Sequence, residues 1–338
     1  MKFWLICDYR ENYTNYANLG TNTMYNDHPS IKNINEILTA INSLGYDCDY
    51  FGGIPELINA IDTKRTFENC IFLNFTDGMD QQYSRVQAPA LLDILNVPYS
   101  GSGVFQSVIM NNKHFCKKAL LKLGIDMPKS CVVSHDMPIN LKIVEEMHFP
   151  LFVKPNCSGS SLGISASCVC HSKDEVLLKT SELLDNFDEV IIEEYVKGID
   201  VTNYLIGNTN SYLVNNIVTA ELFDNSPYAI YGIEEKQNKL RKLYLDNEYL
   251  PKDIVEKTKK QSVMIAHTLG VHDICRIDYR INLSTQNISF IEINSAPRFS
   301  STSEIGFIAS KNNVTFSNMV QYYICLLYTS DAADDLIG

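Results

Sequence analysis

The sequence predicts an α/β module with a largely parallel sheet, followed by α+β modules. Three observations carry this. Strand and helix patterns alternate over the first 107 residues, which is the mark of parallel α/β organisation. From about residue 108 strands outnumber helices. A chain of 338 residues is also too long for one small core and suits two or three modules.

"KFWLICDY" reads as the first strand, and "NINEILTAINSLGYDCDYFGG" as a helix, a glycine stop and a second strand. Ile34, Ile37, Leu38, Ile41 and Leu44 of that helix share one face at a 3.6-residue period. "IPELINAI" is a helix, "CIFLNF" an apolar strand, and "VQAPALLDILN" a helix ending before "VPYSGSG". "NNKHFCKKALLKLGI" is a helix stopped by Gly124. "CVVS", "FPLFVKPN", "GISASCVC" and "EVIIEEYV" read as strands, with the helix "DEVLLKTSELLDN" before the last. "DVTNYLIG" and "SYLVNNIVTA" are strands, and "FDNSPYAIYGIEEKQNKLRKLY" is a polar stretch. The helix "DIVEKTKKQSVMIAHTLG", the hairpin "RIDYRINLSTQNISFIEIN" and the helix "TFSNMVQYYI" complete the chain. The resulting modules are 1–107, 108–196 and 197–324.

Residues 325–338, beginning "CLLYTSDAADD", show no helical or strand period and match the translation of a sequencing-library adapter. They are expected to be a non-native tail.

Hydrophobic content of 45% and charged content of 20% are those of a soluble globular chain. No apolar run spans a bilayer, and the polar residues after the first strand argue against a signal peptide. The ten cysteines lack framework spacing and read as reduced thiols of a cytoplasmic protein. No second Cys or His pair stands at zinc-ligand spacing. The net charge of -12 argues against nucleic acid as a partner.

No phosphate-binding GxxxxGK[ST] loop occurs, and in "GSGVFQ" Gln106 replaces the third glycine of a dinucleotide motif. "VKPNCSGSSLG" is the better phosphate candidate. A strand delivers Lys154, and the small residues Ser158, Gly159, Ser160, Ser161 and Gly163 let backbone N–H groups approach an anion. A flexible hairpin loop with a surface lysine is the other reading. "EVIIEEYVKGID" offers Glu193, Glu194 and Asp200, or simply a strand ending in solvated acids. In the hairpin, strand alternation puts Glu292 and Asn294 on one face, with Asp278 and Arg276 able to join them. Two carboxylates and an amide oxygen suit magnesium that keeps water and bridges phosphates. A polar sheet face with Arg276 pairing an acid fits as well.

In order along the chain, "VPYSGSG", "NNK", "FVKPNCSGSSLGIS", "VIIEEYVKG", "RIDYRI" and "FIEINSAP" resemble the ATP-grasp superfamily, specifically the D-alanine–D-alanine ligase group. The resemblance extends to about residue 324. It implies a three-module ATP-grasp architecture with ATP between the central and C-terminal modules. Lys113 and Lys154 would contact the α- and β-phosphates, and Ser160 and Ser161 would lie in the loop that closes over them. Glu193 would accept from the adenine amino group, with Glu194 beside it. The backbone near Val196 would contact the ring, and Asp200 would hold the ribose. Asp278, Glu292 and Asn294 would hold two magnesium ions, with manganese as the alternative metal. Arg276, Ser160 and Lys236 form the implied catalytic set, with Lys236 reaching the γ-phosphate. The implied reaction is amide formation through an acyl phosphate, on amino-acid or other small carboxylate substrates. A homodimer is common in the resembled group.

Departures cluster on the amino-acid side. The group's HG…GED stretch reads "NFTDGMDQQYSRVQ" here, its N-terminal substrate-binding glutamate has no clear counterpart, and its Pro-Gly after E-x-N is Pro297-Arg298. Arg298 is thereby a candidate for a substrate carboxylate, or it points to solvent, while Ser303 keeps a position near the second substrate. Two alternatives stand beside D-alanine dimer synthesis: a ligase for other amino acids or carboxylates, and a non-catalytic ATP-binding regulator of the same fold.

Overall fold

The computed structural model describes residues 1–9, 28–79, 83–159, 161–208, 211–223, 228, 230 and 241–329. Strand β1 (Lys2–Ile6) lies centrally in a parallel sheet between β2 (Asp47–Gly52) and β3 (Cys70–Asn74), with Lys2 opposite both Asp47 and Cys70. Helix α1 (Ile31–Ser43) lays the predicted face onto it. Ile34, Ile37 and Ile41 are buried, and Leu38 and Leu44 pack at the margin. Helices α2 (Ile54–Asp62) and α3 (Gln87–Leu95) cover the opposite face around Ile6, Phe72, Leu57 and Leu92.

Two helices follow, of which the first is not apparent from the sequence. Helix α4 (Val104–Asn111) occupies the stretch read only for its glycines, and α5 (Lys113–Leu120) is capped by Asn112, whose side chain accepts from the Phe115 N–H. Gly124 ends the segment with φ +66°, as its stop position requires. Met110, Cys116, Leu120 and Ile125 are buried in the core of the five-stranded sheet.

Strands β4 (Ser130–Ser134), β5 (Leu151–Pro155), β6 (Val169–Cys170) and β7 (Glu189–Glu194) form an antiparallel sheet in the order β4-β7-β5-β6. Helix α6 (Leu141–Glu145) lies in the β4–β5 connection, and α7 (Lys173–Leu184) packs beneath the sheet. "GISASCVC" departs from expectation. Ser165 starts a 3₁₀ turn over Ala166–Cys168, leaving only two residues for β6. A run of small residues with a capping serine turns more readily than it extends.

The second antiparallel sheet has five strands: β8 (Ile199–Asn208), β9 (Ser211–Leu222), β10 (Arg241–Leu245), β11 (Ile274–Asn282) and β12 (Asn287–Asn294). Their order is β10-β9-β8-β11-β12. Strand β10 lies at the end of the polar stretch, where Leu243 and Leu245 alternate inward while Lys242 faces out. Helix α8 (Lys252–Leu269) buries Ile254, Ile265 and Ala266 against this sheet.

Helices α9 (Glu304–Lys311) and α10 (Phe316–Thr329) return to the N-terminal sheet. The helix of "TFSNMVQYYI" therefore runs past Cys325, against the expectation of no helical period there. Leu326 and Leu327, 8% and 5% exposed, extend the apolar face and so prolong the helix. Gly306 in α9 fits tightly: a Cβ there would fall 1.8 Å from the Ser301 carbonyl oxygen. Gly306→Ala is expected to cost about 3 kcal/mol, since backbone cannot yield as a side-chain tip does. Chemical denaturation checks this, and an unchanged midpoint would refute the tight fit.

Among the described residues, no helix is long and apolar enough to cross a membrane.

Candidate active site

Antiparallel pairing of β11 and β12 places Arg276 opposite Asn294 and Asp278 opposite Glu292. Directly paired residues share a sheet face, so the side chains anticipated from alternation do meet. The Arg276 guanidinium donates to both carboxylate oxygens of Asp278, from Nε at 3.0 Å and Nη2 at 2.7 Å. Thr202 Oγ1 donates to Asp278 Oδ1 at 3.0 Å, and Asn294 Nδ2 to Asp278 Oδ2 at 3.3 Å. The ion-pair reading of Arg276 and the clustering of the three oxygen-bearing residues thus coexist.

Two lysines face this platform from other elements. Lys113, at the start of α5, reaches Glu292 Oε2 at 3.3 Å and donates to the Ser158 carbonyl at 2.6 Å. Lys154, on β5, pairs with Glu193 Oε2 at 2.9 Å. The other Glu193 oxygen is held by Lys117, a residue with no assigned role in the sequence reading. Burial works against charging Glu292, but Lys113, Lys154 and Arg276 outweigh it and hold the carboxyl well below its usual range. Glu193 behaves likewise, since burial is overcome by Lys117 and Lys154. Desolvation dominates for Lys117, which is pushed down to about 8 despite its contact with Glu193. Lys154 also loses solvation, yet Glu193 and Glu292 together raise it. One carboxylate cannot fully offset two buried ammonium groups, and Lys154 has the second acid as well.

At the other end, Arg280 continues the alternation of Arg276 and Asp278 along β11. It binds Asp200 Oδ2 at 2.7 Å, the Val196 carbonyl at 3.2 Å and the Tyr195 hydroxyl at 2.9 Å. Between the two sheets lies a cleft, partly open to solvent. Its charged end is lined by Lys113, Lys154, Arg276, Asp278 and Glu292, and its more apolar end by Phe152, Leu162, Tyr195, Val196 and Ile291. Ser158, Gly159 and Ser161 form part of its wall. Ser161 and Gly163 take positive φ, +63° and +71°, the turn conformation that small residues accept most readily. Such a space accepts a flat apolar group at one end and a polyanion at the other.

The remaining candidates are placed differently. Ser160 and Lys236 lie outside the described residues. Glu194 points away from Glu193, as neighbours on a strand do, and accepts from the His148 backbone N–H at 3.0 Å. It is nevertheless among the residues that line the cleft. Arg298 is exposed and donates to Asn33 Oδ1 of α1 at 3.3 Å. Ser303 precedes α9, and its hydroxyl donates to the Ser300 carbonyl at 2.8 Å.

Two carboxylates and one amide on adjacent strands are hard oxygen ligands, about a fifth exposed at Asp278 and Glu292. They fit a magnesium ion that completes its shell with water and phosphate oxygens. Among the described residues no cluster of three or more His, Cys, Asp or Glu side chains could hold a metal by itself.

The fold has counterparts in known proteins. The sequence signature described as D-ala D-ala ligase C-terminus matches residues 124–325, more than half of the chain. The D-alanine–D-alanine ligase of Bartonella henselae is 26% identical over 254 residues, covering 75% of this chain and 79% of that protein. The crystal structure of D-alanine–D-alanine ligase from Bacillus anthracis complexed with ATP is similar with a TM-score of 0.73. It covers 99% of this chain and 100% of that one at 19% identity. A D-Ala:D-Ser ligase structure from Enterococcus faecalis gives 0.74 over 96% and 99%, also at 19% identity. These neighbours share the ATP-grasp fold expected of the chain, and by its sequence signature the chain belongs to the D-alanine–D-alanine ligase family.

Proposed function

We propose that the chain is an ATP-dependent ligase that activates a substrate carboxylate as an acyl phosphate and joins it to an amine. The observation that carries this reading is the Asp278–Glu292 pair facing Lys113 and Lys154 across one cleft. Its N-terminal, central and C-terminal parts are read as 1–107, 108–196 and 197–324.

In this reading the apolar end takes the adenine of ATP beside Glu193 and Val196, and Asp200, oriented by Arg280, takes the ribose. Lys113 and Lys154 bind the phosphates, under the loop carrying Ser160 and Ser161. Asp278, Glu292 and Asn294 would hold magnesium, which would supply positive charge to offset that of the transferring phosphoryl. A carboxylate oxygen of the first substrate attacks the γ-phosphorus, the bond to the β-phosphate oxygen breaks, and ADP leaves. The amine of the second substrate then adds to the acyl carbon. Arg276 stabilises the oxyanion, inorganic phosphate departs with the C–O bonding pair, and the nitrogen loses a proton. Lys236 is assigned to the γ-phosphate, and loop closure keeps water from the acyl phosphate. The substrates are read as amino acids, D-alanine among them, with Arg298 and Ser303 on the acceptor side.

The reading is tested with ATP, magnesium and pairs of D- and L-amino acids. ADP release coupled to a product of the expected mass supports it. ATP binding without turnover across the panel would favour a regulatory nucleotide-binding protein. The nucleotide end makes its own prediction. Arg280→Met is expected to raise the KM for ATP about tenfold, roughly 1.4 kcal/mol, while kcat changes little. Steady-state kinetics checks this; a fall in kcat at unchanged KM would contradict it.

A further inference from the structure

Arg85 is a cation that the N-terminal part of the chain delivers to the platform from afar. It lies in the 3₁₀ turn Ser84–Val86, before α3, with its side chain only 15% exposed. Nε and Nη2 both bind Asp77 Oδ1, at 3.1 and 3.0 Å. That clamp fixes the plane of the guanidinium and turns Nη1 towards Asn294 Oδ1, 3.4 Å away. Nη2 also lies against the phosphate-loop candidate, since a Cβ on Gly159 would stand 3.4 Å from it. Arg85 borders two small cavities. One is shared with Lys113, Glu292 and Asn294, and the other runs past Thr76 and Ser295 to Pro297.

A neutral amide oxygen at 3.4 Å is a weak partner for a largely buried cation. If that oxygen is committed to a metal, as the proposed function has it, the Nη1 edge faces an anion brought to the same place. We infer that Arg85 is a second oxyanion-binding cation of the site, opposite Arg276, holding an oxygen of the platform-bound reactants. This rests on the ligase reading. The oxygen belongs either to the γ-phosphoryl group of ATP or to the carboxylate of the amino acid; the chemistry recognised is the same. An arginine fits better than a lysine here, because its planar fork can hold Asp77 and an oxyanion at once.

The test uses the full chain with ATP, magnesium and D-alanine, or the amino-acid pair that the panel turns over best. Arg85→Ala is expected to lower kcat/KM about 10²-fold, the scale of losing one donor to a developing charge. Added guanidinium ion should restore part of the rate, which a merely structural role would not allow. Lost kcat at saturating substrates identifies the phosphoryl oxygen, whereas a raised amino-acid KM with kcat retained identifies the carboxylate. Arg85→Lys should fall between parent and Arg85→Ala, and it carries the test if Arg85→Ala fails to fold. Activity of Arg85→Ala within threefold of the parent overturns the inference. So does a loss that follows lowered thermal stability and is not rescued by guanidinium. Absence of turnover by the parent instead overturns the ligase reading itself.

Discussion

Glu292→Gln is expected to lower ADP release about 10³-fold at saturating magnesium, the largest catalytic effect of any single change in the cleft. The substitution keeps shape and removes only charge. Glu292 faces Asp278 across the hairpin, and Lys113 pairs with it at 3.3 Å. With glutamine there the platform has one acid and two amides, too little charge to hold magnesium between phosphates. Stability should respond as well, because Lys113 is left buried without its acid, at a cost of about 3 kcal/mol. The two effects separate in a double variant. Lys113→Met with Glu292→Gln removes both charges and should recover stability while activity stays lost. A single variant that keeps more than a tenth of parental activity would show that the metal seat lies elsewhere.

The parts of the site that strand periodicity controls were legible in the chain. In "RIDYRI" and "FIEIN" apolar and polar residues alternate, so Arg276, Asp278, Glu292 and Asn294 had to share a face if the strands paired. The same alternation reaches Arg280 and separates Glu193 from Glu194, and both could have been read from it. Lys117 also had a signal, one helical turn beyond Lys113 on α5. The irregularity after Asp278, where the register shifts, had none, because a bulge depends on how two strands twist together. Arg85 had none either: it meets a residue 209 positions away, through a tertiary approach that no local pattern encodes. Helix α4 was obscured by the glycines before it. The end of α10 was missed because burial of Leu326 and Leu327 continues a helix whose polar sequence ahead suggested a stop.

Glu193→Gln is expected to have the largest effect on stability, about 3–5 kcal/mol at pH 7. Lys117 and Lys154 grip the two oxygens of one buried carboxylate. Replacing it with an amide leaves two buried ammonium groups facing each other. The pH dependence follows from the directions of the shifts. Glu193 is depressed below 4.5, so its contribution is present above pH 4.5 and lost as pH falls through its lower folded value. Lys117 is depressed from 10.5 to about 8, so the unfolded chain binds more protons between those values. Its net penalty, burial less the attraction of Glu193, is roughly 3 kcal/mol, in force below pH 8 and relieved as pH rises towards 10.5. Parent and variant should therefore differ most near neutrality. They should converge in acid, where Glu193 is itself neutral, and approach each other above pH 9, where Lys117 sheds its proton. Thermal unfolding across pH 3–10 measures this, and a difference independent of pH would mean that the triad is not what the variant disturbs. Adding Lys117→Met to Glu193→Gln should restore most of the stability, because one cation then leaves with the anion. If that double variant also keeps the parental KM for ATP, Glu193 acts by holding Lys154 in place, since the amide oxygen of glutamine still accepts from an adenine amine. If the KM stays high in a stable protein, the carboxylate charge itself is what the nucleotide requires.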